Sequence, residues 1–133
     1  MLNKAVIKNF GPLPNGEYQF APGLNVVVGE NGLGKSQLLK LLYSVLKVNS
    51  TTKEFTKSEL QKAYADKLIG VLRPDALGRL VKRKQGRERC EVRVDTLDAA
   101  LCSAFSFASQ AKSEVQVDQA PTGTLNQAPA YIP

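Results

Sequence analysis

The sequence predicts a mixed α/β lobe, and three stretches carry that prediction. Leu24 to Leu46 reads as a short apolar strand, a glycine-rich loop and an amphipathic helix. Thr56 to Arg73 places a helical apolar stripe behind a capping sequence. After Gly86 the spacing of the apolar residues changes from the helical period to strict alternation, which predicts an antiparallel β-meander.

The first element, Leu2 to Phe10, is a short apolar segment with interspersed lysines and is expected to be a strand. Gly11-Pro12-Leu13-Pro14-Asn15-Gly16 is turn chemistry. Glu17 to Phe20 alternates polar and aromatic residues, so a second strand should return antiparallel to the first. Pro22-Gly23 turns the chain into Leu24 to Val28, a β-branched run suited to a buried strand. The following helix shows Leu38, Leu39, Leu41, Leu42, Val45 and Leu46 at helical spacing, and the polar stretch Asn49 to Lys53 is expected to break it.

Thr56 and Glu59 spell a capping box, with Phe55 and Leu60 placed as a hydrophobic staple. Leu60, Tyr64, Leu68, Val71 and Leu72 continue the stripe to Arg73, and Pro74 ends it. A shorter helix is expected from Asp75 to about Lys84, with Leu77, Leu80 and Val81 inward and Gly86 as its stop. Three strands should follow, marked by Cys90, Val92 and Val94, by Leu101, Phe105 and Phe107, and by Val115 and Val117. The lobe is expected to occupy residues 1–118. Residues 119–133 carry no charge and three prolines, which predicts a loop.

The loop between the apolar strand and the helix is Gly29-Glu30-Asn31-Gly32-Leu33-Gly34-Lys35-Ser36, which fits G-x-x-x-x-G-K-[ST], the Walker A pattern. The chemistry explains the spelling. A strand must turn sharply into a helix while its backbone wraps a polyphosphate, and glycines open the required backbone angles. Loop amides and the free N–H groups of the new helix then point at the anion. Lys35 supplies positive charge to the β- and γ-phosphates, and Ser36 a hydroxyl for Mg²⁺. Gly29 to Ser36, together with Gln37, are the candidate nucleotide-binding residues. A dinucleotide-binding fingerprint starting at Gly32 and Gly34 would need a glycine where Gln37 stands.

Length and composition set outer bounds. A chain of 133 residues is one domain or part of one, and 43% hydrophobic residues suffice for a moderate core. There is no histidine, which excludes His-based catalysis and His metal ligation within these residues. Cys90 and Cys102 lack metal-ligand spacing and are expected to be reduced core thiols. No apolar signal region opens the chain and no run approaches 18 apolar residues, so no membrane is expected and the cytoplasm is the default compartment.

Ile7-Lys8-Asn9-Phe10, then Phe20-Ala21-Pro22-Gly23-Leu24-Asn25 and the GENGLGKS loop, resembles the start of SMC-, RecF- and ABC-type ATPases. The spelling is most similar to prokaryotic AAA-family ATPases of the SMC/OLD-like kind, several of which serve in anti-phage defence. The resemblance implies a P-loop NTPase fold and the N-terminal lobe of an ABC/SMC-like head. It also implies ATP and Mg²⁺ as ligands, a homodimer of heads in the full-length protein, and DNA, RNA or an effector protein as partner. It further requires a Walker B strand ending in Asp-Glu and a signature loop, and the sequence contains neither. Val92-Arg93-Val94-Asp95 and Val115-Gln116-Val117-Asp118 come nearest to Walker B, and each is interrupted by a polar residue. The expectation is therefore the N-terminal portion of a longer ATPase, or a natural truncation of one, without its catalytic carboxylate.

The net charge of +6 is compatible with nucleic acid or an acidic partner. Arg79, Lys82, Arg83, Lys84, Arg87 and Arg89 concentrate basic charge in one stretch, which reads either as a phosphate-backbone contact or as a solvated face. Two rival readings accompany the ATPase. One is a non-hydrolysing, nucleotide-switched nucleic-acid-binding module. The other is a small P-loop kinase, for which the meander offers no acceptor-site residues.

Overall fold

Alternating apolar residues on successive strands build one face of a single antiparallel sheet, and two helices cover it. The computed structural model describes residues 2–11, 13–19, 35–50, 55–82, 89–96 and 99–122. Its elements are β1 (Leu2–Lys8), β2 (Gly16–Gln19), α1 (Lys35–Asn49), α2 (Lys57–Leu72), β3 (Arg89–Thr96), β4 (Ser103–Ala108) and β5 (Gln116–Gln119). Among the described residues the strand order is β2-β1-β3-β4-β5, with every neighbouring pair antiparallel. The expected hairpin and the expected meander both form. Pairing of β1 with β3, in the register Ala5↔Val94 and Ile7↔Val92, joins them into one sheet.

Ala5, Ile7, Cys90, Val92, Val94, Phe105, Phe107 and Val117 lie buried in one core with Leu38, Leu41, Val45 and Val48 of α1 and Leu60, Tyr64, Ala65 and Leu68 of α2. Tyr64 stacks on Phe105 with ring centroids 4.9 Å apart, and Phe105 continues to Phe107 at 6.4 Å. Both cysteines are free and buried, as expected of core thiols.

The start of α2 follows its sequence closely. The Thr56 hydroxyl accepts from the Glu59 amide at 3.1 Å, and the Glu59 carboxylate accepts from the Thr56 amide at 3.1 Å. Phe55 packs half-buried against the core that contains Leu60. At the other end Arg73 takes the left-handed conformation, φ 54, and donates its amide to the Ile69 carbonyl before Pro74.

Three expectations are corrected. The first strand ends at Lys8, because Asn9 turns to φ 56 and Phe10 makes an isolated bridge to Val81. The helix expected from Asp75 to Lys84 is only a 3₁₀ turn, Leu77–Leu80, followed by extended Val81. Its backbone groups bond to distant partners instead of to the next turn. Gly78 donates to the Ala111 carbonyl at 2.8 Å, Leu80 accepts from Gly11 at 2.7 Å, and Lys82 donates to Asn9 at 2.7 Å. Leu77 and Val81 are nonetheless buried. Leu101 belongs to a 3₁₀ turn, Ala99–Leu101, ahead of β4.

Asn49 does more than the sequence predicts. The helix ends at this residue, as the polar stretch from Asn49 predicts, but Asn49 is buried, with 4% of its surface exposed. Its side chain is satisfied inside the core: the Tyr64 hydroxyl donates to Asn49 Oδ1 at 2.5 Å, and Asn49 Nδ2 donates to Ser103 Oγ at 3.1 Å. The apolar strand expected over Leu24 to Val28 lies outside the described residues, as does Gly86.

Gly78 meets the chain after β4 so closely that a Cβ would lie 2.0 Å from the Ser109 carbonyl oxygen and 2.5 Å from its carbon. Both are backbone atoms, so relief requires the loop to move. Gly70, exposed on α2, has nothing within 4 Å of the position a Cβ would take. Gly78→Ala should therefore destabilise by ~3 kcal/mol. Gly70→Ala should stabilise by about 0.5–1 kcal/mol through helix propensity. Urea midpoints of the two variants check both signs, and equal effects would refute the packing described at Gly78.

Burial raises the pKa of the Tyr64 phenol to about 12, partly offset by its bonds to Ser103 and Asn49. Burial, with Glu91 alongside, also pushes the Cys90 thiol up. Folded-state values above the unfolded ones mean that this stability is complete below the unfolded pKa and is lost as pH rises toward the folded one. For Tyr64 the window runs from the ordinary value of 10.0 to about 12, and the loss should approach about 2–3 kcal/mol at its upper end. Urea midpoints measured across that window should fall less steeply in Tyr64→Phe than in the parent.

Candidate phosphate-binding site

The last two residues of the glycine-rich pattern lie on a described helix. Lys35 and Ser36 are the first two residues of the 15-residue α1. Its first turn contains no acidic residue, so the positive end of the helix dipole is not offset by its own side chains. From Leu38 onward the helix turns Leu38, Leu41, Leu42, Val45 and Val48 into the core, which fixes the axis along which its N-terminus points. At the opposite end Lys47 lies in the last turn, and Ser50 donates its amide to Leu46 O at 2.9 Å and its hydroxyl to Lys47 O at 2.7 Å. Two of the four terminal carbonyls of the helix, those of Leu46 and Lys47, are thereby satisfied.

Gly29, Glu30, Asn31, Gly32, Leu33 and Gly34 lie outside the described residues, as do the side chains of Lys35 and Ser36. Gln37 is half-buried on the first turn of α1.

The two aspartates nearest to a Walker B spelling occupy different surroundings. Asp95 is buried near the end of β3 on the face away from the helices. Arg93 donates to its Oδ2 at 3.3 Å and lies 3.1 Å from Oδ1, though poorly aligned for a second bond, and Lys4 approaches to 4.0 Å. Asp118 is exposed on β5. Among the described residues no group of three or more His, Cys, Asp or Glu is arranged to hold a metal ion.

Of the basic stretch the structure describes Arg79, Lys82 and Arg89; Asn9 joins the last two, its carbonyl accepting from the Lys82 amide at 2.7 Å and its side-chain amide donating to the Arg89 carbonyl at 3.1 Å. Lys82 is half-buried, and its ammonium donates to the Leu13 carbonyl at 2.7 Å. Arg89 lies across the sheet, donating to Ser106 Oγ at 3.0 Å and Gln116 Oε1 at 2.7 Å. Arg79 is exposed on the 3₁₀ turn. Arg83, Lys84 and Arg87 lie outside the described residues.

Sequence reasoning missed Asn49 as an organising residue. The signal was available: Asn49 falls four residues after Val45 on the buried stripe, where a polar side chain must find partners. No described helix is long and apolar enough to cross a membrane.

Comparison with known proteins identifies the family. The chain is similar to the DNA replication and repair protein RecF of Listeria welshimeri, with 35% identity over 88 residues, 63% of this chain and 21% of that protein. The corresponding protein of an Enterobacter species shows 30% identity over 105 residues, 73% of this chain and 28% of the relative. A solved structure of the recombination mediator protein RecF with ATPrS aligns at 19% identity and a TM-score of 0.48, covering 96% of this chain and 28% of that one. The matched chain thus spans between a fifth and three-tenths of these relatives' length. A family model for the AAA ATPase domain matches residues 1–120, from β1 through β5, and the chain belongs to that family.

Proposed function

We propose that this lobe binds ATP and forms the phosphate-holding part of an ATPase head. The observation that carries the reading is the junction at Lys35. The G-x-x-x-x-G-K-S sequence ends where α1 begins, and the first turn of that helix is free of acidic residues. Amides of Asn31 to Ser36 donate to the phosphate oxygens. Lys35 adds a full positive charge at the β- and γ-phosphates. Ser36 contributes a neutral oxygen donor, which suits Mg²⁺ because that ion prefers oxygen and completes its shell with phosphate and water. When bound, Mg²⁺ would neutralise charge on the transferring phosphoryl group. Gln37, one residue further into the helix, completes the candidate set.

Hydrolysis needs a carboxylate to orient water, and neither Asp95 nor Asp118 supports such a role. Asp95 is occupied by Arg93 and Lys4, and Asp118 stands on the exposed edge strand. The reading is therefore of binding by this lobe, with turnover assigned to a paired, complete head. The names of the relatives, DNA replication and repair proteins, favour DNA as the polymer such a head serves. Among the described basic residues, exposed Arg79 is more available to its backbone than Lys82 and Arg89, whose donors serve the fold. An effector partner or a role in anti-phage defence rests on the resemblance of the N-terminal motifs. The switch-module alternative keeps the same site and differs only in lacking turnover by the complete protein.

Lys35→Ala should weaken Mg·ATP binding roughly ten- to a hundredfold, because a hydrogen bond to a charged group contributes ~1.5–3 kcal/mol. Calorimetric or NMR titration of the two proteins, with circular dichroism as the folding control, is the check. Equal affinities would remove Lys35 from the site. In a phosphate-release assay the 133-residue chain should hydrolyse ATP no faster than background. Turnover that disappears in Lys35→Ala would instead place a catalytic carboxylate within it.

A further inference from the structure

The two ends of α1 meet different chemistry. Its N-terminal end carries Lys35 and Ser36, and its C-terminal residue, Asn49, is held in a buried polar joint. Three elements converge there: α1 through Asn49, α2 through Tyr64 and β4 through Ser103, the last two each only 1% exposed. Elsewhere α1 meets the core through apolar side chains such as Leu41 and Val45, and the Lys67 ammonium of α2 lies 5.6 Å from the centre of the Tyr43 ring. Apolar contacts are non-directional and tolerate small slides and rotations of a helix. Hydrogen bonds select one distance and one angle. Both functional groups of the Asn49 amide are used, Oδ1 as acceptor and Nδ2 as donor, so a shift of α1 along its axis would break bonds to two different elements at once.

We propose that Asn49, Tyr64 and Ser103 are positioning residues for the nucleotide site, fixing the axial position of α1 so that its first turn meets the phosphates. The inference rests on the nucleotide-binding reading above. A 15-residue helix is a rod of about 22 Å, and displacement at one end is transmitted to the other. Coupling of this kind is reciprocal: if the joint favours nucleotide binding, nucleotide must favour the closed joint.

The test uses the 133-residue chain, Mg·ATP as the probe and a temperature at which circular dichroism shows every variant folded. Tyr64→Phe keeps the ring on Phe105 and removes only the hydroxyl, and Ser103→Ala removes the other partner. Val117→Ala, on the edge strand β5, is the comparator for loss of stability alone. Tyr64→Phe and Ser103→Ala should each weaken Mg·ATP binding about five- to tenfold. Val117→Ala should bind as the parent does, even where its melting temperature falls further. In the parent, saturating Mg·ATP should slow hydrogen exchange at the Asn49 and Ser50 amides, and this protection should be lost in Tyr64→Phe. Where Tyr64→Phe fails to fold, Ser103→Ala and the exchange measurement on the parent carry the test. Joint variants that bind within about twofold of the parent, or a comparator weakened as much as they are, would overturn the inference. A parent that binds no Mg·ATP, or a Lys35→Ala variant that binds as the parent does, would overturn the nucleotide reading and the joint's role with it.

Discussion

Tyr64 lies against Phe105 with ring centroids 4.9 Å apart, and its hydroxyl reaches past the ring to Asn49. Most of the lobe depends on that placement. The ring buries apolar area between α2 and the sheet, while the hydroxyl requires a polar partner in the same interior. Asn49 meets that requirement and passes it on to Ser103. A core made only of leucine and valine would hold the two helices on the sheet with less definition of their relative position. The polar joint narrows the choice to one arrangement.

The sheet that receives this contact is sided. Along β3 the burial alternates, with Cys90, Val92 and Val94 toward the helices and Arg89, Glu91 and Arg93 toward solvent. On the outward face Lys8 approaches Glu91 at 3.9 Å, Arg89 reaches Ser106 on the neighbouring β4, and Arg93 bonds Asp95 two residues along β3. These exposed pairs contribute little stability individually. They do engage Lys8, Arg89 and Arg93 within the fold.

The legible parts of the fold were those governed by local chemistry. Thr56, Glu59 and Pro74 marked the limits of α2 because caps and proline act within a few residues of themselves. The alternation from Cys90 to Val94 revealed β3, and Phe105 with Phe107 revealed β4, because one buried face imposes period two. What failed depended on partners distant in sequence. The segment after Pro74 had helical spacing, but Gly78, Leu80 and Lys82 bond to Ala111, Gly11 and Asn9, and those bonds draw it out of the helix. Asn49 does end its helix, but its burial is invisible to local reading because its partners, Tyr64 and Ser103, are distant in sequence. At the candidate site the motif specified residue types and spacing, and the structure supplied the helix on which Lys35 and Ser36 stand. The grouping of the basic residues could not be read from composition, since Lys82 and Arg89 find internal acceptors that only the assembled sheet provides.

Gln61 offers two acceptors along the outer edge of the sheet. Its carbonyl receives the Val115 amide at 3.3 Å, and its side-chain oxygen receives the Val117 amide at 3.1 Å. These are alternate residues, so both point to the same side, away from β4. One glutamine on α2 thus imitates two positions of a neighbouring strand. An unprotected edge is a template on which another chain can add a strand and begin to aggregate. Here an intruding strand would first have to displace a side chain tethered to the helix that covers the core, so the residue that completes the sheet also guards it against indiscriminate growth.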